Sequence, residues 1–252
     1  SLHRLFHLKK SFNQDLSKWE VSKVTNLYRT FESASVFNSN LSTWNVSKVA
    51  TLGRTFQYAY AFNSDLSTWD VSKVTTLSRT FQRAYAFNSD ISNWDVSRVT
   101  TLAWTFFCGS ASASAFNSDL SAWDVSKVLT LYYTFFGAEA FNSDISTWDV
   151  SKVTNLQGTF EFAKAFNSDL SAWDVSKVTT LENTFHTANA FNSDLSAWDV
   201  SKVITAITML KDAAAFNQSA WCSPSWNKFV ANSLPPGNRI LCCNPGAFLN
   251  DS

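Results

Sequence analysis

The sequence predicts an α/β repeat solenoid, a right-handed coil with a parallel strand ladder on one side and short helices on the other. Three observations carry that expectation: a fixed self-similarity, aromatic columns that keep its step, and two alternating hydrophobic periods within each copy. Phe-Asn pairs begin at Phe12, Phe37, Phe62, Phe87, Phe116, Phe141, Phe166, Phe191 and Phe216, with seven intervals of 25 residues and one of 29. Trp19, Trp44, Trp69, Trp94, Trp123, Trp148, Trp173 and Trp198 keep the same step. Self-similarity at a period of about 20 to 50 residues marks stacked repeats, in which each unit buries its apolar face against its neighbours.

One unit shows the local logic. Leu66-x-x-Trp69-x-Val71-x-x-Val74 has leucine-rich-repeat spacing and places a short strand near Trp69 to Val71. Val74, Leu77, Phe81 and Ala84 follow at steps of 3, 4 and 3, one face of a helix. Ser72 stands where an N-cap would accept from the first turn. Phe87-Asn88-Ser89-Asp90 then turns the chain into the next strand, since Asn and Asp side chains bond nearby backbone.

On this reading residues 1–218 form a nine-turn solenoid and 219–252 a C-terminal cap. The first turn is incomplete, because Leu2-x-Arg4-x-Phe6 aligns with the helical half of a unit. An upstream segment or another molecule is therefore expected to cover that end. The extra four residues fall in Phe107 to Ala115, a run of small side chains read as a surface loop.

The pattern F-N-x-D-[LI]-S-x-W-D-V-S-x-V followed by T-x-L-x-x-T-F resembles the repeat of the BspA-like surface proteins, the DUF285 family of leucine-rich-repeat-like modules. The resemblance covers residues 2–218. It implies a solenoid, an extracellular or cell-surface location, and adhesion or protein–protein interaction, although many members have no assigned role. One departure is visible: Thr30, Thr55, Thr80, Thr105, Thr134, Thr159 and Thr184 stand where the family usually has Met.

Charge narrows the partners. Twenty basic and twenty acidic residues give a formal net charge of zero, with no footprint for nucleic acid or an anionic membrane. Apolar runs fall short of the roughly 18 residues needed to insert into a bilayer. The 22 Phe and 11 Trp sit mostly in the repeated columns, which makes them core.

Three of the four cysteines, Cys222, Cys242 and Cys243, lie in the cap. A disulfide from Cys222 to Cys242 or Cys243 would pin its loop by about 2–4 kcal/mol, leaving Cys108 and one vicinal cysteine free or paired between molecules. No metal cluster is expected there, because the cap has neither His nor C-x-x-C.

Two acidic columns and one basic column run along the repeats. Asp65 and Asp90 exemplify the first, broken by Asn40; Asp70 and Asp95 the second, broken by Asn45; Lys73 lies three residues after the second. The simplest expectation is a self-neutralised solvated face with corner-capping side chains. The alternative is a row of Ca²⁺ sites or a glycan surface, since hard cations take several carboxylate and carbonyl oxygens. No cofactor is otherwise expected.

The unbroken Asn column is expected to satisfy backbone at the corners. The Thr column is expected to lie inward or flanking and to bond back to helix backbone. His3, His7 and His186 are scattered, and no nucleophile, zinc or phosphate-loop pattern occurs, so catalysis is not expected. Sequons begin at Asn40, Asn45, Asn217 and Asn250; the first two replace Asp of other copies and read as Asp-to-Asn drift, with a sugar-bearing repeat as the alternative.

The positions that differ between copies are the candidate partner-reading residues: Tyr28, Arg29, Arg54, Tyr58, Arg79, Arg83, Trp104, Tyr133 and Glu161. The functional expectation is an extracellular, non-catalytic structural or adhesion scaffold. It would bind a macromolecular surface partner, glycans or its own copies.

Overall fold

Each 25-residue unit closes through tight turns. The computed structural model describes residues 1–109, 114–217 and Trp226. Within one unit, N–H groups bond carbonyls three residues back: Trp69 to Leu66 at 3.0 Å, Val74 to Val71 at 2.8 Å, Thr80 to Leu77 at 3.0 Å and Ala84 to Phe81 at 3.0 Å. The residues that begin or end these turns, including Leu66, Trp69, Val74, Leu77, Phe81 and Ala84, are each at most 3% exposed.

The segment from Thr76 to Ala84 follows a strict alternation. The N–H groups of Leu77, Arg79, Phe81 and Arg83 donate to Thr101, Ala103, Thr105 and Phe107 of the next unit, at 3.3, 3.0, 3.0 and 2.6 Å. Those of Thr80, Gln82 and Ala84 donate within the unit, while the carbonyls of Thr76, Ser78, Thr80 and Gln82 accept from Leu52, Arg54, Phe56 and Tyr58 of the preceding one. Every second peptide thus points along the stack. That geometry needs left-handed residues at regular places, and Arg79 (φ 60) and Arg83 (φ 57) supply them here. Fifteen described non-glycine residues share this conformation, which costs roughly 1–2 kcal/mol each before compensation by the hydrogen bonds it permits.

The expected α/β solenoid, with its parallel strand ladder and short helices, is therefore not what forms. Among the described residues there is no helix and no sheet, only the isolated parallel bridges Thr130↔Asn155, Asn155↔Thr180 and Thr180↔Thr205. A helix sends every N–H to the carbonyl four residues back, and alternate outward bonding excludes it. The steps of 3, 4 and 3 arise instead from turns that bring the chain back to the core every third or fourth residue. Ser72 is not a helix cap; its N–H donates to Asp70 Oδ1 at 3.0 Å. The bridges fall at the position of Thr76, not at Trp69 to Val71.

The other half of the unit stacks through side chains. Asn63 N–H donates to Asn38 Oδ1 at 2.7 Å, Leu66 N–H to Ser89 Oγ at 3.3 Å, and Trp69 Nε1 to the Leu41 carbonyl at 3.0 Å. The Asn ladder expected from the sequence is present from Asn13 through Asn217. The Thr column is fully buried as expected, though without a helix: Thr80 Oγ1 donates to Leu77 in its own turn and lies 3.0 Å from the Leu52 carbonyl of the preceding unit.

The core is three stacked aromatic columns. Phe31–Phe56, Phe62–Phe87 and Trp69–Trp94 have centroids 5.6, 6.1 and 6.5 Å apart, and Phe81 stacks on Phe87 within its unit at 3.7 Å. Such pairs add about 0.5–1.5 kcal/mol each beyond area burial. Trp226 extends the Trp column beyond Trp198 at 6.5 Å. The rest of the expected cap, with Cys222, Cys242, Cys243 and their disulfide pairing, lies outside the described residues, as does 110–113 of the inserted loop.

Candidate functional site

The acidic columns are structural fasteners. Asp65 Oδ1 accepts the N–H of Ser67 at 2.9 Å, Asp70 that of Ser72 at 3.0 Å, Asp90 that of Ser92 at 2.9 Å and Asp95 that of Ser97 at 3.0 Å. Hydrogen bonds from the Ser67 backbone and hydroxyl hold Asp65 below the ordinary carboxylate range, and the Ser72 hydroxyl and backbone do the same for Asp70. Asn40 and Asn45 make the same turn, accepting from Ser42 at 2.9 Å and Ser47 at 3.1 Å. A carbonyl oxygen suffices at that position, which explains why Asn substitutes freely.

One expectation about these columns changes. Asp70 and Lys73 were expected to neutralise one another, but no ion pair joins them among the described residues; the lysine only helps depress the carboxyl through its field. No group of three metal-ligating side chains forms among the described residues. A shallow recess of about 400 Å³ lined by Asn167, Asp169, Asn192 and Asp194 recurs as one of about 340 Å³ at Asn117, Asp119, Asn142 and Asp144. Asn217 is exposed, with its N–H on Asn192 Oδ1 at 2.9 Å.

The variable positions converge on the alternating segment. Arg29, Arg54, Tyr58, Arg79, Arg83, Trp104 and Tyr133, seven of the nine candidates, stand in the left-handed region. There the backbone supplies the inter-unit bonds, so the side chain is released from stacking duty and can vary. Three of the arginines contact a ring of their own or an adjacent unit. Arg29 lies over the Tyr28 ring at 5.3 Å, Arg79 over Trp104 at 4.8 Å and Arg83 over Tyr58 at 5.7 Å. Trp104 meets Tyr133 at 4.9 Å. The result is a half-exposed arginine–aromatic strip crossing several units.

Glu161 behaves differently. It is buried and takes His186 Nδ1 at 3.0 Å, while His186 Nε2 lies 3.7 Å from Asp212. Burial lifts the Glu161 carboxyl above its ordinary range, and the His186 bond pulls it partly back. Glu161 thus serves the interior of the strip.

Sequence reasoning missed Phe107, Tyr132, Phe136 and His186, which join the same face. Phe107 stacks on Phe136 at 4.6 Å, and Tyr132 meets Tyr133 at 4.4 Å. A signal for the face was present: Gly158 and Asn183 are the counterparts of Arg79, and Gly and Asn favour left-handed backbone. The column containing Gln82 also pairs like with matching partner: His7 with Glu32 at 3.6 Å, Gln57 with Gln82, and Glu161 with His186.

Identical structural fasteners beneath one variable strip define a tandem-repeat protein. The family described as Mycoplasma protein of unknown function, DUF285, matches residues 1–112 and 107–226, and the chain belongs to it. No curated protein matches the chain.

Proposed function

We propose that the protein is a non-catalytic interaction scaffold, extracellular or at a cell surface, that engages a macromolecular partner through the arginine–aromatic strip. One observation carries this reading. Invariant side chains are consumed in the ladders, whereas the variable ones gather where backbone bonding frees them. Repetition spreads modest contacts over several units, a geometry suited to extended or multivalent binding. Aromatic and arginine side chains are also those enriched at interface hot spots.

The test is binding of the purified chain to immobilised protein and glycan panels, in parallel with Tyr133→Ser and with Asp144→Asn as a control outside the strip. The reading predicts a bound macromolecule whose capture falls with Tyr133→Ser and persists with Asp144→Asn. Binding insensitive to the strip variant would contradict it.

A further inference from the structure

We infer that Arg54, Arg79 and Arg83, extended by Arg29, form a binding track for a sulfated polysaccharide. The inference rests on the strip being the interaction face. Three features of the molecule point to it.

The first is uncompensated charge. Arg54, Arg79 and Arg83 have no carboxylate within ion-pair distance among the described residues, whereas Arg29 reaches Glu32 at 3.4 Å. The lysine column is different, because the Asp70 column runs beside it: Lys127 and Lys152 both act on Asp124. Among the described residues Arg54, Arg79 and Arg83 thus lack the flanking acidic column that the lysines have.

The second is that the row is costly. Arg29 N–H bonds to Gly53, and Arg54 N–H to Ser78, so consecutive arginines sit on adjacent units. Burial and the neighbouring Arg54 charge both oppose protonation of Arg79. All these arginines occupy left-handed backbone. Gly158 and Asn183 show that residues easier to place there occupy the same position elsewhere in the stack. Backbone preference therefore does not account for arginine in these copies.

The third is geometry. Arg79 and Arg83 cover the Trp104 and Tyr58 rings. Each guanidinium covers one face of its ring, and with the Arg83 Nε buried its terminal nitrogens are the donors left for oxyanions. Arg29, Arg54 and Arg79 on three consecutive units, with Arg83 beside Arg79, suit a linear polymer with repeated sulfate groups.

The probe is dextran sulfate titrated onto the immobilised full chain, alongside neutral dextran and oligodeoxythymidine. Dextran sulfate is expected to bind, to weaken as salt rises toward about 0.15 M, and to exceed both other polymers. Arg54→Asn with Arg79→Asn should weaken binding about tenfold or more, while Lys127→Ser with Lys152→Ser changes it less than about twofold. Thermal unfolding checks each variant; if the Asn pair is unfolded, Arg54→Gly with Arg79→Gly replaces it, using the residue already found at Gly158.

Failure of dextran sulfate to bind, equal loss in the lysine variant, or tighter oligodeoxythymidine binding overturns the inference. If Tyr133→Ser abolishes capture of a panel partner while dextran sulfate does not bind, the face reading stands and the polysaccharide inference falls. If neither set of variants alters any binding, both fall.

Discussion

The indole Nε1–H of Trp94 donates to the carbonyl of Leu66 at 3.1 Å, across 28 residues of sequence. The same bond recurs from Trp44 to Leu16 and from Trp198 to Leu170. In this half of the unit a side chain does what backbone does in a sheet. Trp94→Phe keeps a ring in the column but leaves a buried carbonyl without its donor and a gap beside Phe81. We expect a loss of about 2–4 kcal/mol, read as a lowered urea midpoint. An unchanged midpoint would mean that the ladder contributes little.

Gly158 tests the left-handed half. Its φ is 59, and an added Cβ would run into the Tyr133 ring. Gly158→Ala should cost about 2 kcal/mol or more, combining conformational strain with displacement of the aromatic. Asn183→Gly, at the equivalent place in the next unit, relieves φ 54 but removes the side-chain bonds to Thr208 and Glu161, so it should cost less than Gly158→Ala. Thermal unfolding of the two variants side by side measures the difference.

How much of this was legible follows from which chemistry does the stacking. Phe62, Asn63, Trp69 and Asp70 recur because their side chains make the inter-unit contacts, so the repeat, its inward residues and the Asn ladder could be read directly. Leu77 to Ala84 could not. Turns closing every three residues and a helix both bury positions 3 and 4 apart, and backbone bonding between units leaves no side-chain signature. The same indifference lets Arg54, Trp104 and Tyr133 vary, so variability singled out these positions while hiding their conformation. Phe107 and Phe136 were missed because they resemble core residues.

Acid should loosen the stack at the Asp corners. Asp65, Asp70, Asp90, Asp119 and Asp144, with ordinary values of 3.8, are held lower in the fold by bonds from the following serines. A carboxyl depressed on folding contributes its full stability above its unfolded value and loses it as pH falls through the folded one. Stability should therefore be flat with respect to these groups at neutral pH and decline below about pH 4. Asp65→Asn with Asp70→Asn should shrink that decline, because Asn40 and Asn45 accept the same bonds without titrating. A pH series of thermal midpoints decides it.

Cys108 should be chemically quiet. It is 3% exposed, and burial pushes its thiol up to about 11. At pH 8 on the order of one molecule in a thousand then carries the reactive thiolate. Site-resolved mass spectrometry after brief alkylation of the native chain should find Cys108 largely unmodified, becoming modified after denaturation. Rapid native labelling would contradict the burial, and with it the placement of Phe106 to Gly109.

The alternation between Leu77 and Ala84 is what the whole account turns on, and backbone NMR chemical shifts of that segment and its counterparts test it most directly. We predict no run of four consecutive helical Cα shifts from Val74 to Ala84, with left-handed signatures at Arg79 and Arg83. A continuous helical run there would contradict the turn-built stack.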